Sequence, residues 1–174
     1  MYDFNAKFQR INVAEFQDSC IISIEIEDKT TTRKLQIITM TSNYLWDGCF
    51  TNCNSVRSFT TKKNLDSKII DNDYGDIIVA DFNFDGKEDI AIKNSSGGNG
   101  GPTYNYYIQN DRQHFDLSNF LTQKMQFFPF EIDNENCTLT IHVHANALQY
   151  RSTSYKYNLN SHKWKTISSK LVNA

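Results

Sequence analysis

Proline is scarce, with two residues in 174, so little in the chain forbids long ladders of backbone hydrogen bonds. No stretch approaches the roughly 18–20 consecutive apolar residues that a membrane-crossing helix needs. No basic block exceeds a few residues, and the formal charge is −2 with both signs interspersed. That balance supplies no general attraction to nucleic acid or to an acidic membrane. Only four cysteines occur, Cys20, Cys49, Cys53 and Cys137, and no second close pair accompanies Cys49 and Cys53. A four-thiolate zinc site is therefore disfavoured. No serine or cysteine stands in an evident acyl-transfer relation to a histidine. The run Gly97-Gly98-Asn99-Gly100-Gly101 is not followed by the Lys-Ser/Thr of a phosphate loop. These absences lead to the expectation that the chain is not an enzyme.

What is present favours strands. Twelve Phe and nine Tyr accompany frequent β-branched residues, and a hydrophobic fraction of 39% argues against disorder. The length suits one domain spanning 1–174. Cys20 to Glu27 alternates from Ile22 onward, and Leu35 to Met40 reads as its hairpin partner across an Asp28-Lys29-Thr30 turn. Ser55 to Lys62 reads as a strand, and Ile77–Ala80 and Ile90–Ile92 flank an acidic loop. Tyr104 to Ile108 forms a strand with an aromatic face, and Phe115 to Leu121 a short helix or a loop. Met125 to Ile132, Thr138 to Ala145, and Thr153 to Leu159 with Trp164 to Ile167 complete the strand signals. Short strands separated by turns point to a sandwich, a barrel or a small propeller.

Cys49 and Cys53 can close a small disulfide ring, which leaves Cys20 and Cys137 for a long-range pair; reduced, packed thiols are the competing reading. No signal peptide precedes the polar, strand-like Met1-Tyr2-Asp3-Phe4. The protein is therefore expected to be cytosolic or to have lost a leader, and the cysteine count tips the expectation towards export.

The most informative segment is Asp81-Phe82-Asn83-Phe84-Asp85-Gly86-Lys87-Glu88-Asp89. Calcium is a hard cation that takes six to eight oxygens at about 2.3–2.6 Å. Asp81, Asn83 and Asp85 at alternate positions let a curling loop aim three side chains inward, and Gly86 permits a tight backbone. Lys87 is expected to offer its carbonyl only, and Asp89 to close the ring. The twelfth position is Ile92, where a helix–loop–helix sensor needs a bidentate Glu, and both flanks are β-type. A structural calcium ion in a strand–loop–strand is the resulting expectation. It also accounts for the Asp81 and Asp85 carboxylates, which makes them poor candidates for a glycosidase pair.

On Asp81, Asn83, Asp85, Gly86 and Asp89, followed by Ile90-Ala91-Ile92, the chain resembles the FG-GAP or VCBS-type β-propeller repeat. With Gly97 to Gly101, Tyr104 to Tyr107 and His142 through Trp164, it resembles small exported bacterial lysozyme inhibitors and secretion-system immunity proteins over about residues 75 to 168. The resemblance implies an all-β, small irregular propeller of roughly five incomplete blades. It also implies a periplasmic inhibitor or immunity protein that binds and blocks a peptidoglycan-cleaving toxin, lysozyme-like or amidase.

The candidate partner surface comprises Gly98, Asn99, His144, Tyr150 and Arg151. The glycine-rich loop is either a connection or a projection able to enter an enzyme cleft. His142 and His144, two apart on a strand, point the same way, and hydrogen-bonded or solvated histidines are the plainer reading. Tyr150 and Arg151 are the preferred anchors because Tyr and Arg combine area with hydrogen bonds. A carbohydrate-binding or adhesion module, stacking its aromatic faces on sugar rings, is the alternative function. The sequence leaves open whether the chain forms a homodimer.

Overall fold

The computed structural model describes residues 2–14, 17–42, 56–58, 62–63, 75–95 and 97–173. Strands β1 (Tyr2–Ala14), β2 (Gln17–Asp28) and β3 (Lys34–Ser42) form an antiparallel meander. Its alternation is legible in the burial: Ile22, Ile24 and Ile26 are fully buried while the residues between them are not. The register sets Ile24 against Ile38 and Ile22 against Met40, so one face of the pair is apolar. Asp28 closes the β2–β3 turn by accepting from the N–H groups of Thr30 (2.8 Å) and Thr31 (3.0 Å). Those bonds hold its carboxyl below the usual aspartate range.

A second sheet has the order β4 (Val56–Ser58), β6 (Ile77–Ala80), β7 (Asp89–Ser95), β8 (Thr103–Gln109) and β9 (Phe115–Leu117). It is antiparallel except that β4 runs parallel to β6. The third sheet has the order β13 (Lys163–Asn173), β12 (Gln149–Asn158), β11 (Thr138–Asn146), β10 (Glu131–Asp133) and β5 (Lys62–Lys63).

Two apolar clusters show why β6 reads as an unbroken apolar run. Ile77, Val79, Ile90 and Ile92 pack with Ile22, Ile24, Ile26, Ile38 and Met40 of the first sheet. Ile78, Ala80, Ala91, Tyr104 and Tyr106 pack with Leu139, Ile141 and Tyr155 of the third. The second sheet is thus a middle layer covered on both faces, which removes the polar alternation expected of a half-exposed strand. Each buried Ile, Leu, Val or Met side chain contributes about 1.5–3 kcal/mol on leaving water. Gln36 adds a polar tie between layers: its amide accepts from the N–H of Phe115 (2.7 Å) and donates to the same residue's carbonyl (3.0 Å).

The all-β class is thereby upheld, but the propeller is not. The described strands form three separate sheets with long-range pairings, β5 with β10 and β4 with β6, rather than a ring of blades. The expected Met125 to Ile132 strand is also corrected. A single π-type turn occupies Leu121–Met125, Gln126 has positive φ (63°), Phe127 makes an isolated bridge to Thr103, and only Glu131–Asp133 forms a strand. Phe115 to Leu121, read as helix or loop, begins as strand β9.

The disulfide expectation is corrected as well. Cys137 carries a free thiol at the β10–β11 turn, with positive φ (53°), and its Sγ lies 3.8 Å from the Asn134 carbonyl. It is therefore not paired with Cys20. Cys49 and Cys53 lie outside the described residues.

Candidate functional site

The acidic loop joins β6 to β7 and is shaped by its own side chains. Asp81 accepts from the N–H groups of Asp85 (3.2 Å) and Gly86 (2.8 Å), and Asn83 Oδ1 also accepts from Asp85 (3.2 Å). Asp85 accepts from the N–H of Lys87 (2.9 Å). Phe84 and Gly86 turn the backbone through positive φ, 61° and 83°. Phe82, between the first two polar positions, is fully buried against Tyr106 and Phe128, which anchors the loop on the core.

Asp89 differs from its neighbours because it is fully buried. Its carboxylate accepts from the N–H groups of Phe82 (2.9 Å) and Gln109 (2.8 Å). Burial, opposed by those two bonds and reinforced by the charges of Asp81 and Asp85, pushes its pKa up to about 8. Burial also raises that of Asp81. The loop is therefore an oxygen-only donor set under electrostatic strain, which fits a hard cation in kind. In placement the fit is incomplete. Among the described residues, no group of three or more His, Cys, Asp or Glu gathers so as to hold a metal ion. The Lys87 ammonium turns back towards Asp85 (3.5 Å) and Asp111 (2.6 Å), balancing charge at the loop's outer side.

The second region lies at the far end of the β11–β12–β13 meander. Register sets Val143 opposite Arg151 and Arg151 opposite Leu171 on one face. The glycine-rich segment reaches the same face as a tight 3-10 turn, Gly98–Gly100, entered through left-handed Gly97 (φ 66°). A Cβ on Gly100 would stand 3.2 Å from Val143 and 3.0 Å from the Phe127 ring; one on Gly97 would stand 1.6 Å from the Gly101 carbonyl oxygen. Glycine is required here for close packing and for the left-handed turn. Gly98 is exposed at the tip of this turn.

His144 and Tyr150 are opposite one another on the other face. His144 is exposed, whereas the neighbouring His142 ring is stacked on Phe130 (4.2 Å between centroids) and tilted against Tyr150 (4.5 Å). Burial lowers the His142 pKa, against a smaller upward pull from Glu131. The structure thus brings Gly98, His144, Tyr150 and Arg151 to one end of the third sheet but splits them between its faces, while the Asn99 side chain lies outside what is described. Gly98 and Arg151 share the Val143 side, and His144 and Tyr150 lie on the other. The aromatic residues Tyr157, Trp164, Phe120 and Phe84 form a mutually packed cluster, with Trp164 stacked on Phe120. All four are half-buried.

One signal was legible in the sequence and passed over. All 20 acidic residues precede Asn136, while five of the 18 Lys and Arg follow Glu135. The first 135 residues, with 13 basic against 20 acidic side chains, carry −7, and the last 39 carry +5 with three of the four histidines. Interspersed charge therefore describes only the larger part of the chain. Strands β11, β12 and β13 contain no carboxylate side chain at all.

No protein-family model matches the sequence, and no curated protein does. In three dimensions the chain is similar to a solved structure described as that of a Xanthomonas type IV secretion system related protein. The TM-score is 0.66 at 14% identity, over 99% of this chain and 78% of the other. At that identity the likeness concerns the fold alone. Membership of the FG-GAP or VCBS repeat proteins and of the small exported inhibitors is not upheld, since no model of either matches and no repeat or propeller is shown.

Proposed function

We propose that this chain is a non-catalytic binding protein that blocks a peptidoglycan-cleaving enzyme, presenting the far end of β11–β12 to the enzyme's cleft. The observation that carries the reading is Arg151, exposed beside the Gly98 turn at the end of a sheet segment free of carboxylates. Enzymes that cleave glycosidic bonds place paired carboxylates in their clefts, and an arginine fork is the side chain best matched to a carboxylate. The fold shared with a secretion-system related protein supports a setting in which secreted proteins are encountered. Since peptidoglycan is the substrate, the periplasm is the corresponding location. A calcium ion at Asp81, Asn83, Asp85 and Asp89 belongs to the same proposal as a structural element. It would supply positive charge where buried and half-buried carboxylates repel one another.

The reading is tested by measuring peptidoglycan turnover by a panel of purified muramidases and amidases with and without the chain. Inhibition of one class at stoichiometric concentration is expected. Arg151→Glu should weaken it by about 30-fold or more, as loss of a buried charge pair costs about 2–5 kcal/mol. Undiminished turnover by every enzyme of both classes would exclude the proposal.

A further inference from the structure

Among the described residues, strand β13 ends the third sheet, pairing with β12 on one side only. Its 11 residues are exposed on both faces except for Trp164 and Val172, which are half-buried. Ile167 and Leu171 are each 50% exposed, so the strand offers apolar area as well as backbone groups. An edge of this length displays a row of backbone N–H and C=O groups able to accept a further strand.

The charge on the edge decides what fits it. Lys163, Lys165 and Lys170 lie along β13, Arg151 and Lys156 lie on the adjacent strand, and none of them meets a carboxylate in a salt bridge among the described residues. A second copy laid antiparallel on β13 would bring the lysines of both chains onto one ribbon containing no acidic side chain. Cross-strand like charges are destabilising, so this edge disfavours self-pairing.

We propose that the outer edge of β13 is a strand-addition site for an extended, acidic segment of a partner protein. Backbone hydrogen bonds supply the pairing, Ile167 and Leu171 supply apolar contact, and the lysines select a strand carrying Glu or Asp at alternate positions. The inference is independent of whether the partner is a cell-wall hydrolase, because it rests on the edge and its charge rather than on a cleft.

The test uses the full chain and two synthetic 11-residue peptides matched to the length of β13, one alternating Val with Glu, the other Val with Lys. Hydrogen exchange followed by mass spectrometry reads protection strand by strand. The Glu peptide is expected to bind saturably, to slow exchange within Lys163–Asn173 and to lose affinity as salt is raised. The Lys peptide should bind at least roughly tenfold more weakly, as several like-charge cross-strand contacts predict. In the double variant Lys165→Glu/Lys170→Glu, both sites being exposed, the melting temperature should hold and the preference between the peptides should reverse. Equal binding of the two peptides, protection confined to other strands, or an unchanged preference in a folded double variant would each overturn the proposal.

Discussion

Lys93 sits in the middle layer with 1% of its surface exposed, and its ammonium lies 2.8 Å from Asp76 Oδ1. The same two residues are joined through the backbone, Lys93 N–H to the Asp76 carbonyl at 2.8 Å. Asp76→Ala takes this carboxylate away from a buried ammonium. Breaking a buried pair in this way costs about 3–5 kcal/mol, a large share of the about 5–15 kcal/mol that holds an ordinary domain together. At about 2–4 °C per kcal/mol for a chain of this size, the melting temperature should fall by roughly 6–20 °C. Lys93→Met should be milder, since Asp76 keeps some access to water (13% side-chain exposure). The double variant Asp76→Ala/Lys93→Met should recover most of the loss, because an apolar replacement of similar volume does not bury a charge. Urea unfolding of the four proteins gives the coupling directly. Asp76→Ala within about 1 kcal/mol of the parent, or a double variant as unstable as the sum of the singles, would refute the reasoning.

Calcium at about 100 times its dissociation constant should stabilise the chain by about 2.7 kcal/mol, or roughly 5–11 °C in melting temperature. A chelator should reverse the shift and Asp85→Asn should blunt it; superimposable melts with calcium and with chelator would remove the ion from the proposal. His142, whose pKa is lowered by burial, is protonated more readily in the unfolded chain. Its contribution is absent above the unfolded-state value of about 6.5 and becomes destabilising as pH falls below that value, complete once pH is below the folded-state value. His142→Gln should therefore flatten the loss of stability between about pH 7 and 5, and parallel pH profiles for the two proteins would show that the ring is not protected.

The strands were legible because local chemistry decides them. The alternation of Ile22, Ile24 and Ile26 follows from the two-residue period of a sheet with one buried face, and the structure shows that burial. The Asp28 turn and the loop from Asp81 to Asp89 announced themselves through side chains that bond their own backbone. The charge-free-of-acid character of residues 136–174 was equally present in the sequence.

The arrangement of the sheets was decided elsewhere. Whether short strands close into blades or stack as layers depends on pairings such as Glu131 with Lys63 and Val56 with Ile77, which join residues far apart in the chain. No local period records which sheet will cover which. The double burial of Ile77–Ala80, the bond of Gln36 to Phe115 and the enclosure of Lys93 with Asp76 exist only once three layers have come together. Periodicity reports how a segment meets its immediate surroundings, whereas layer order reflects the total apolar area that distant segments bury against one another. The sequence by itself therefore determined strands, turns and charge, and tertiary packing alone decided which of them became core, edge or site.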